Sequence, residues 1–169
     1  MDYREHITPE MQKKWFDSVN NKFNYYFIIE FEGNKVGLIN AKDFSYGDGF
    51  GEGGIFIWDA DYISSFAAVF STLCILNFVF FNVKLCKLSR ARILKDNDRA
   101  IHYNQLIGYK LLPGQEDVTN QLYELTLDDY IKNSAKLNKA AEALNNGDGV
   151  LTFSGTKSDK NLDEINRLL

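Results

Sequence analysis

The feature that most constrains the fold is an uncharged, largely apolar segment at residues 62–83, YISSFAAVFSTLCILNFVFFNV. A helix of this length is long enough to span a bilayer. Polar residues interrupt it, however, and at about 100° per residue Ser64, Ser71 and Asn82 project within about 20° of one another. One narrow polar stripe on an apolar helix favours burial inside a protein over contact with lipid. We therefore predict a buried helix here and no membrane association.

The composition predicts a folded domain of ordinary surface charge. The chain has 169 residues, 45% hydrophobic and 14% aromatic, which is enough for a core. Its net charge is −4 and it contains no basic run, so we expect no nucleic-acid partner. Cys74 and Cys86 lie in or beside the apolar segment, which predicts free buried thiols in a reducing cytosol. The first residues lack the apolar core of a signal peptide, and we expect a cytoplasmic protein.

Caps, turns and periodicity divide the chain into alternating elements. Thr8, Pro9 and Glu10 are typical of a helix start, and the glycines of residues 45–54 predict a loop. The predicted elements are a helix over residues 8–20, strands over 24–31, 35–44 and 55–58, the buried helix, a strand over 87–94, a helix over 98–106, strands over 109–113 and 122–127, and a helix over 128–144.

This order predicts an α/β fold with a mixed, mostly antiparallel central sheet and flanking helices. The helix between the strand of Phe56 and the strand of Arg90 implies a parallel crossover between them. The character of the sequence changes near residue 130. We predict a main domain over residues 1–130 and a C-terminal extension over 131–169, with a helix, a candidate edge strand at Val150–Ser154 and a short final helix.

The most specific pattern is LKDNDRAIHYNQLIGYK at residues 94–110. It resembles the N-x-x-A-I-x-x-Y/N…G-F/Y segment of the GNAT superfamily of acetyl-CoA-dependent N-acetyltransferases. The matching residues are Asn97, Ala100, Ile101, Tyr103, Asn104, Gly108 and Tyr109. Over residues 6–128, the segments HITPEMQKKWF, YYFIIEFEGNKVGLIN and EGGIFI are similar to the branch that includes ribosomal-protein alanine and amino-sugar acetyltransferases.

The resemblance implies a GNAT-like acyl-CoA N-acyltransferase fold and a definite reaction. An acetyl group would pass from acetyl-CoA, as co-substrate, to a primary amine of a small molecule such as an amino sugar, or of a peptide, with no metal. A phenol with a reference pKa near 10 stays protonated at neutral pH, so Tyr103 is implied as the proton donor to the departing thiolate. The alternatives are that Tyr103 only packs its helix on the sheet, and that the chain is an inactive GNAT-like binding or assembly module.

The general base is less defined by the sequence. Glu52 stands just before the third strand, where a carboxylate could face the cleft between strands, and it is equally well interpreted as a solvated loop carboxylate. Asp43 is a weaker candidate. The two histidines are His6 and His102, and His102 is adjacent to Tyr103 on a helix, so we expect it to point elsewhere.

The resemblance also implies where the co-substrate binds. Backbone N–H groups of a strand bulge at Ile55–Trp58 would stabilise the oxyanion. Asn97 would bond the pantetheine region or the backbone beside it, or would serve only as a helix cap. The implied cofactor-binding residues are Ile57, Trp58, Ser64, Ser65, Phe66, Ala67, Ala68, Asn97, Ala100 and Tyr103.

Two departures from the family pattern bear on activity. The pyrophosphate loop Q/R-x-x-G-x-G/A aligns with residues 63–68, where Ile63 replaces the first polar residue and Phe66 the middle glycine. Phe66 is expected to crowd a phosphate unless its ring turns into the core. The usual first strand and helix are also missing before His6. We therefore expect an exposed sheet edge, which Val150–Ser154 would cover within the chain or in a homodimer.

Overall fold

The computed structural model describes residues 6–21, 23–45, 49–82, 84 and 86–144. A 3₁₀ turn and a π-helical turn flank the central helix. The elements in chain order are α1 (Pro9–Val19), β1 (Tyr25–Phe31), β2 (Asn34–Ser45), β3 (Phe50–Ile57), the 3₁₀ turn Ala60–Tyr62, α2 (Ala67–Asn77), the π turn Phe78–Asn82, β4 (Leu88–Leu94), α3 (Asp98–Ile107), β5 (Lys110–Leu111), β6 (Asn120–Thr126) and α4 (Leu127–Leu144).

The six strands form one sheet in the order β1-β2-β3-β4-β6-β5. Every neighbouring pair is antiparallel except β3 and β4, which are parallel because the chain crosses over through α2 between them. The predicted α/β class, with a mixed and mostly antiparallel sheet, is confirmed. In the described part of the chain β1 lies at one end of this order and β5 at the other.

Strand alternation separates two faces of the sheet. Tyr25 of β1 is buried and its ring meets Phe78, just after α2, at 5.6 Å between centroids. Its neighbour Tyr26 points the other way, where its ring meets Trp15 of α1 edge-on at 5.3 Å. α2 packs against β1, β2 and β3, and α3 and α4 pack beside it. We call the side of Tyr25 the core face and the side of Tyr26 the open face.

The uncharged segment contains the buried helix that its polar stripe predicts, although the helix is shorter than the segment. α2 begins only at Ala67, and Ser64 lies in the exposed turn before it. Five α2 residues are buried: Ala67, Thr72, Leu73, Ile75 and Leu76. Within the described ranges, no helix combines the length and apolarity that crossing a membrane requires.

The glycine-rich segment is where the sequence interpretation of the strands is wrong. β3 begins at Phe50 rather than Ile55, so the predicted loop over residues 45–54 ends before Phe50. Gly49 has the positive φ of a turn residue (70°), whereas Gly51 serves close packing, because a Cβ there would lie 2.7 Å from the buried Phe44 ring. Residues 46–48 lie outside the described ranges.

The bulge expected at Ile55–Trp58 is also absent from the described sheet. The β2–β3 register runs without a shift from Gly37↔Ile57 to Lys42↔Glu52, and the irregularity falls between Lys42 and Ser45. Glu52 therefore sits inside a strand and not in a loop.

Both ends of α3 follow from local signals. Asn97 Oδ1 accepts a hydrogen bond from the Ala100 N–H at 3.1 Å, which is a side-chain cap. Gly108 ends the helix in the left-handed region at φ 116°, and its N–H donates to the Asn104 carbonyl at 3.1 Å. The structure therefore shows Asn97 as the cap of α3. Its contact with the pantetheine region of the co-substrate remains a prediction.

α4 runs through the boundary that the sequence predicts near residue 130. Tyr130 is fully buried, and its hydroxyl donates to Asn77 Oδ1 at 2.8 Å. The helix is therefore part of the packed body up to this residue and beyond it, since Ser134 is also buried. The division at residue 130 stays a prediction. The strand predicted at Val150–Ser154 and the final helix lie outside the described residues.

The close approach of α3 to α4 at Gly108 is testable. A Cβ at Gly108 would lie 2.8 Å from Asn133 Nδ2 and 3.1 Å from the Asp129 carbonyl oxygen, whereas one at Gly114, also at positive φ (78°), meets nothing within 4 Å. Gly114→Ala should therefore lower the free energy of unfolding by about 1–2 kcal/mol through backbone strain alone. Gly108→Ala should lower it by about 2–4 kcal/mol, because crowding is added. Urea unfolding measures both free energies. An equal decrease for Gly108→Ala and Gly114→Ala would contradict the close packing at Gly108.

Candidate active site

The central feature of the site is an opening between β3 and β4. Their parallel pairing runs from Phe50↔Leu88 to Gly53↔Ala91, and then stops, although β3 continues to Ile57 and β4 to Leu94. The Trp58 N–H donates to the Val36 carbonyl of β2 at 3.0 Å. Because N–H groups alternate along a strand, those of Ile55 and Ile57 face β4, where the ladder has ended. The opening is therefore lined by backbone donors.

A buried pair of hydroxyls lies at the point where the strands separate. Ser89 Oγ and the Tyr109 hydroxyl are 2.7 Å apart, and the two residues are 4% and 5% exposed. Each hydroxyl lies 3.8 Å from the Cβ position at Gly53, the last residue of β3 that pairs with β4. Burial raises the pKa of Tyr109, so this phenol is neutral.

Tyr103 reaches the first turn of α2 from α3. Its hydroxyl donates to the Ala68 carbonyl at 3.3 Å. Burial raises the pKa of Tyr103 to about 12, the Thr72 hydroxyl opposes that shift, and Tyr130 adds to it. The phenol is therefore protonated at neutral pH and lies beside the start of α2, and its role as proton donor remains a prediction.

The loop before α2 can bind an anion through its backbone. Ser65 Oγ donates to the Tyr62 carbonyl at 2.7 Å and accepts from the Ala67 N–H at 3.1 Å. Among the described residues, the N–H groups of Ala68 and Val69 donate to no backbone or side-chain oxygen. Free donors at a helix start, with the helix dipole behind them, suit a phosphate.

The Phe66 ring does not turn into the core. It is 55% exposed and stacks on Phe70, with centroids 5.8 Å apart and planes 19° apart. Phe70 thereby holds the ring against the outer surface of α2. Because the ring stays outside the core, the crowding of a phosphate that the sequence predicts for Phe66 remains a prediction.

Arg99 is a residue of this region that sequence reasoning missed. Its guanidinium donates to the Ile63 carbonyl and approaches Ser64 Oγ at 3.4 Å. A cation from α3 thus stands at the loop where Ile63 lacks the usual polar side chain. The only sequence signal was its place two residues after Asn97 in the matched segment, and nothing local indicated that it reaches this loop.

Glu52 lies on the open face and is held by two cations. Its Oε1 accepts from Lys42 Nζ at 2.9 Å, and its Oε2 accepts from Arg92 Nε at 3.0 Å. The carboxylate is only 17% exposed, whereas Asp43, which also bonds Lys42, is 67% exposed. Glu52 thus points away from the face that carries Tyr103, and its role as general base remains a prediction.

The other residues implied by the resemblance fall into two groups. One group surrounds the adjoining starts of α2 and α3: Ser64, Ser65, Phe66, Ala67, Ala68, Asn97, Ala100 and Tyr103. The other is at the end of β3, where Ile57 packs against the core and Trp58 is exposed with its indole N–H bonded to the Lys35 carbonyl. His6 and His102 are exposed. In the described part, no group of three His, Cys, Asp or Glu side chains is placed to hold a metal.

Sequence comparison finds no matching family model and no matching curated protein. Solved structures do match. Spermidine N-acetyltransferase from Vibrio cholerae, in complex with CoA and spermine, is 13% identical with a TM-score of 0.64, over 76% of this chain and 81% of that one. FdhC, a nucleotide-linked sugar GNAT, is 20% identical with a TM-score of 0.63, over 81% and 79% of the chains.

A third similar structure is the N-acetyltransferase PseH from Campylobacter jejuni, which is 15% identical with a TM-score of 0.57 over 70% of this chain and 78% of that one. The chain therefore has the GNAT fold of the N-acetyltransferases.

Proposed function

We propose that the protein transfers an acetyl group from acetyl-CoA to a primary amine of a small molecule. The observation that carries the proposal is the position of Tyr103, whose hydroxyl bonds Ala68 in the first turn of α2, the helix that begins at the end of the sheet where the β3–β4 pairing has stopped. The similar structures support the general reaction, since two of them are N-acetyltransferases and one is a nucleotide-linked sugar GNAT. An amino sugar is one acceptor of this class and a peptide amine another.

The opening supplies the groups that acyl transfer needs. An amine attacks the thioester carbonyl, and the carbonyl oxygen gains negative charge as the carbon becomes tetrahedral. Backbone N–H groups of Ile55 and Ile57, fixed in β3, are suited to stabilise that charge. As the C–S bond breaks, the Tyr103 hydroxyl donates a hydrogen bond to the departing thiolate, which leaves as the thiol with a proton equivalent to the one that the amine has lost. A phenol with a pKa of about 12 is always in the donating form at neutral pH.

The residues around the start of α2 fit the anionic end of CoA. The N–H groups of Ala68 and Val69 are available as donors, and Arg99 adds a positive charge at the Ile63 carbonyl. We propose that Arg99 replaces the polar residue that the loop lacks at Ile63. The exposed Phe66 ring offers an apolar surface at the same place.

The amine must lose a proton, and Glu52 is the candidate general base. It stands on the face of the sheet opposite to Tyr103, so that base and acid would act on the two sides of the thioester. Its ion pairs with Lys42 and Arg92 fix the carboxylate in place. Water is the alternative proton acceptor.

An inactive GNAT-like binding module is the second candidate function. Ile63 and Phe66 in the phosphate loop favour it, because neither side chain can bond a phosphate. Calorimetric titration with acetyl-CoA separates the two candidates. Saturable binding followed by acetylation of an amine supports the enzyme, whereas no heat and no thermal shift supports the module.

Tyr103→Phe tests the proton donor. The substitution keeps the ring and removes the hydroxyl, so kcat should fall by about 100-fold while the Kd for CoA stays within about twofold. Tyr123→Phe is the matched control, since it removes another buried hydroxyl, one that bonds Gln121 on β6. Because the Tyr103 pKa is raised to about 12, the wild-type rate should show no loss from its ionisation below about pH 11. An unchanged kcat would remove Tyr103 from the mechanism.

Arg99→Gln tests the cation at the phosphate loop. The Kd for CoA should rise about tenfold, because a charge-assisted hydrogen bond is worth about 1.5–3 kcal/mol. The exposed Lys132→Gln on α4 changes net charge equally and should leave that Kd unchanged. Calorimetry at two salt concentrations is the measurement. A similar Kd for both variants would show that Arg99 does not contact the co-substrate.

A further inference from the structure

The open face of the sheet carries a chain of alternating charges that ends at the opening. Asp43 bonds Lys42 at 3.0 Å, Lys42 bonds Glu52 at 2.9 Å, and Glu52 bonds Arg92 at 3.0 Å. We call these four residues the charged chain. The Asp43 carboxylate is 67% exposed and lies at its outer end, and the Arg92 side chain is 51% exposed at its inner end.

Arg92 is placed at the mouth of the opening by the strand register. It follows Ala91, which is in the last residue pair between β4 and β3. Ala91 and Ile93 are buried on the core face, so Arg92 between them projects from the open face. Helices α2, α3 and α4 fill the core face. An acceptor amine must therefore approach from the side on which Arg92 stands.

Arg92 still has donors to offer. Its Nε is bonded to Glu52, and within the described residues its two Nη atoms donate to no oxygen. The bond to Glu52 fixes the plane of the guanidinium, which lowers the entropy lost when the remaining N–H groups bind a ligand. A guanidinium with one edge fixed and the other accessible is suited to bidentate binding of a carboxylate or phosphate.

The neighbouring residue on β3 has no side chain, and an amide of β2 lies over it. Continuing the register one step past Gly53↔Ala91 brings Gly54 opposite Arg92, and the Asn40 amide lies 3.3 Å from the Cβ position of Gly54. Phe56, the next residue of β3 on the open face, is 46% exposed. The space in front of Arg92 is therefore bounded by a polar amide and an aromatic ring.

The carboxylates around this space are already neutralised. Glu52 is shared by Lys42 and Arg92, and Glu124 of β6 bonds Arg90 at 3.1 Å. A polycationic acceptor would have to displace one of these internal cations. An anionic group needs no such exchange, because it adds to the accessible edge of Arg92.

We propose that the acceptor is a primary amine that also carries an anionic group, a phosphate or a carboxylate, and that Arg92 binds that group at the mouth of the opening. This proposal rests on the proposed function, because only a transferase would use the Arg92 surface to bind an acceptor. Glu52 then positions Arg92, in addition to any role in proton transfer. The anion anchors the acceptor on β4, so its amine can extend into the opening toward the backbone donors of β3.

Binding of matched probe pairs to the full chain tests the proposal without requiring turnover. Glucosamine 6-phosphate is compared with glucosamine, and 4-aminobutyrate with butylamine, by saturation-transfer NMR and calorimetry. The wild type should bind at least one anionic member about tenfold more tightly than its partner, and the pair that shows the preference identifies phosphate or carboxylate. Arg92→Gln should abolish the preference, Arg92→Lys should retain part of it, and Lys132→Gln should leave it intact.

Equal binding within both pairs, tighter binding of spermidine than of any anionic probe, or a preference that survives Arg92→Gln would overturn the proposal. Circular dichroism and thermal melting of Arg92→Gln confirm that the exposed substitution leaves the fold unchanged. Acetyl-CoA titration is a separate measurement. A preference for anionic probes without acetyl-CoA binding would reject the transferase function and keep the Arg92 site, and the converse result would reject only the Arg92 site.

Discussion

The parallel pairing of β3 with β4 is the constraint on which the rest of the site depends. Parallel neighbours cannot be joined by a hairpin, so the chain must leave the end of β3 and return through α2 to the start of β4. α2 therefore begins at the same end of the sheet at which the β3–β4 ladder opens. α3 begins at that end too, because it follows β4, which runs in the same direction. Both helix starts, with their free N–H groups, meet beside the opening.

This topology explains why residues distant in sequence meet at the loop before α2. Arg99 lies in the first turn of α3, and its guanidinium reaches Ile63 and Ser64 before α2. Tyr103, one turn further along α3, faces Ala68 in the first turn of α2. The spacing of four residues between Arg99 and Tyr103 puts both on one side of α3. One face of α3 thus carries the exposed Arg99 at the loop before α2 and the more buried Tyr103 one turn further on. Burial keeps the Tyr103 phenol protonated.

The parts of this arrangement that the sequence predicts are those governed by local contacts. The caps at Thr8 and Asn97 and the left-handed end at Gly108 depend on residues within one helical turn. The extent of β3 was not predictable, because its glycines resemble a loop in the sequence and the packing of the Phe44 ring against Gly51 appears only in the fold. The ion pair of Glu52 with Arg92 spans 40 residues and the contact of Arg99 with Ser64 spans 35, so only the fold brings them together. Tyr103 was identified through resemblance, and its partner Ala68 through the fold.

Two arginines lie near the opening of a chain whose net charge is −4. The protein as a whole therefore does not attract anions over long range, and the binding that we propose for anionic ligands depends on these local cations. Arg99 lies at the starts of α2 and α3, and Arg92 lies on the open face of the sheet. One cation therefore lies on each side of the opening. Both guanidiniums are exposed but partly fixed, one by a backbone carbonyl and one by Glu52. Salt should therefore weaken each contact by local screening, while the neutral hydroxyls and backbone donors between them are unaffected. In the proposed mechanism, acyl transfer at the opening is in this way separated from the cations that would select the substrates.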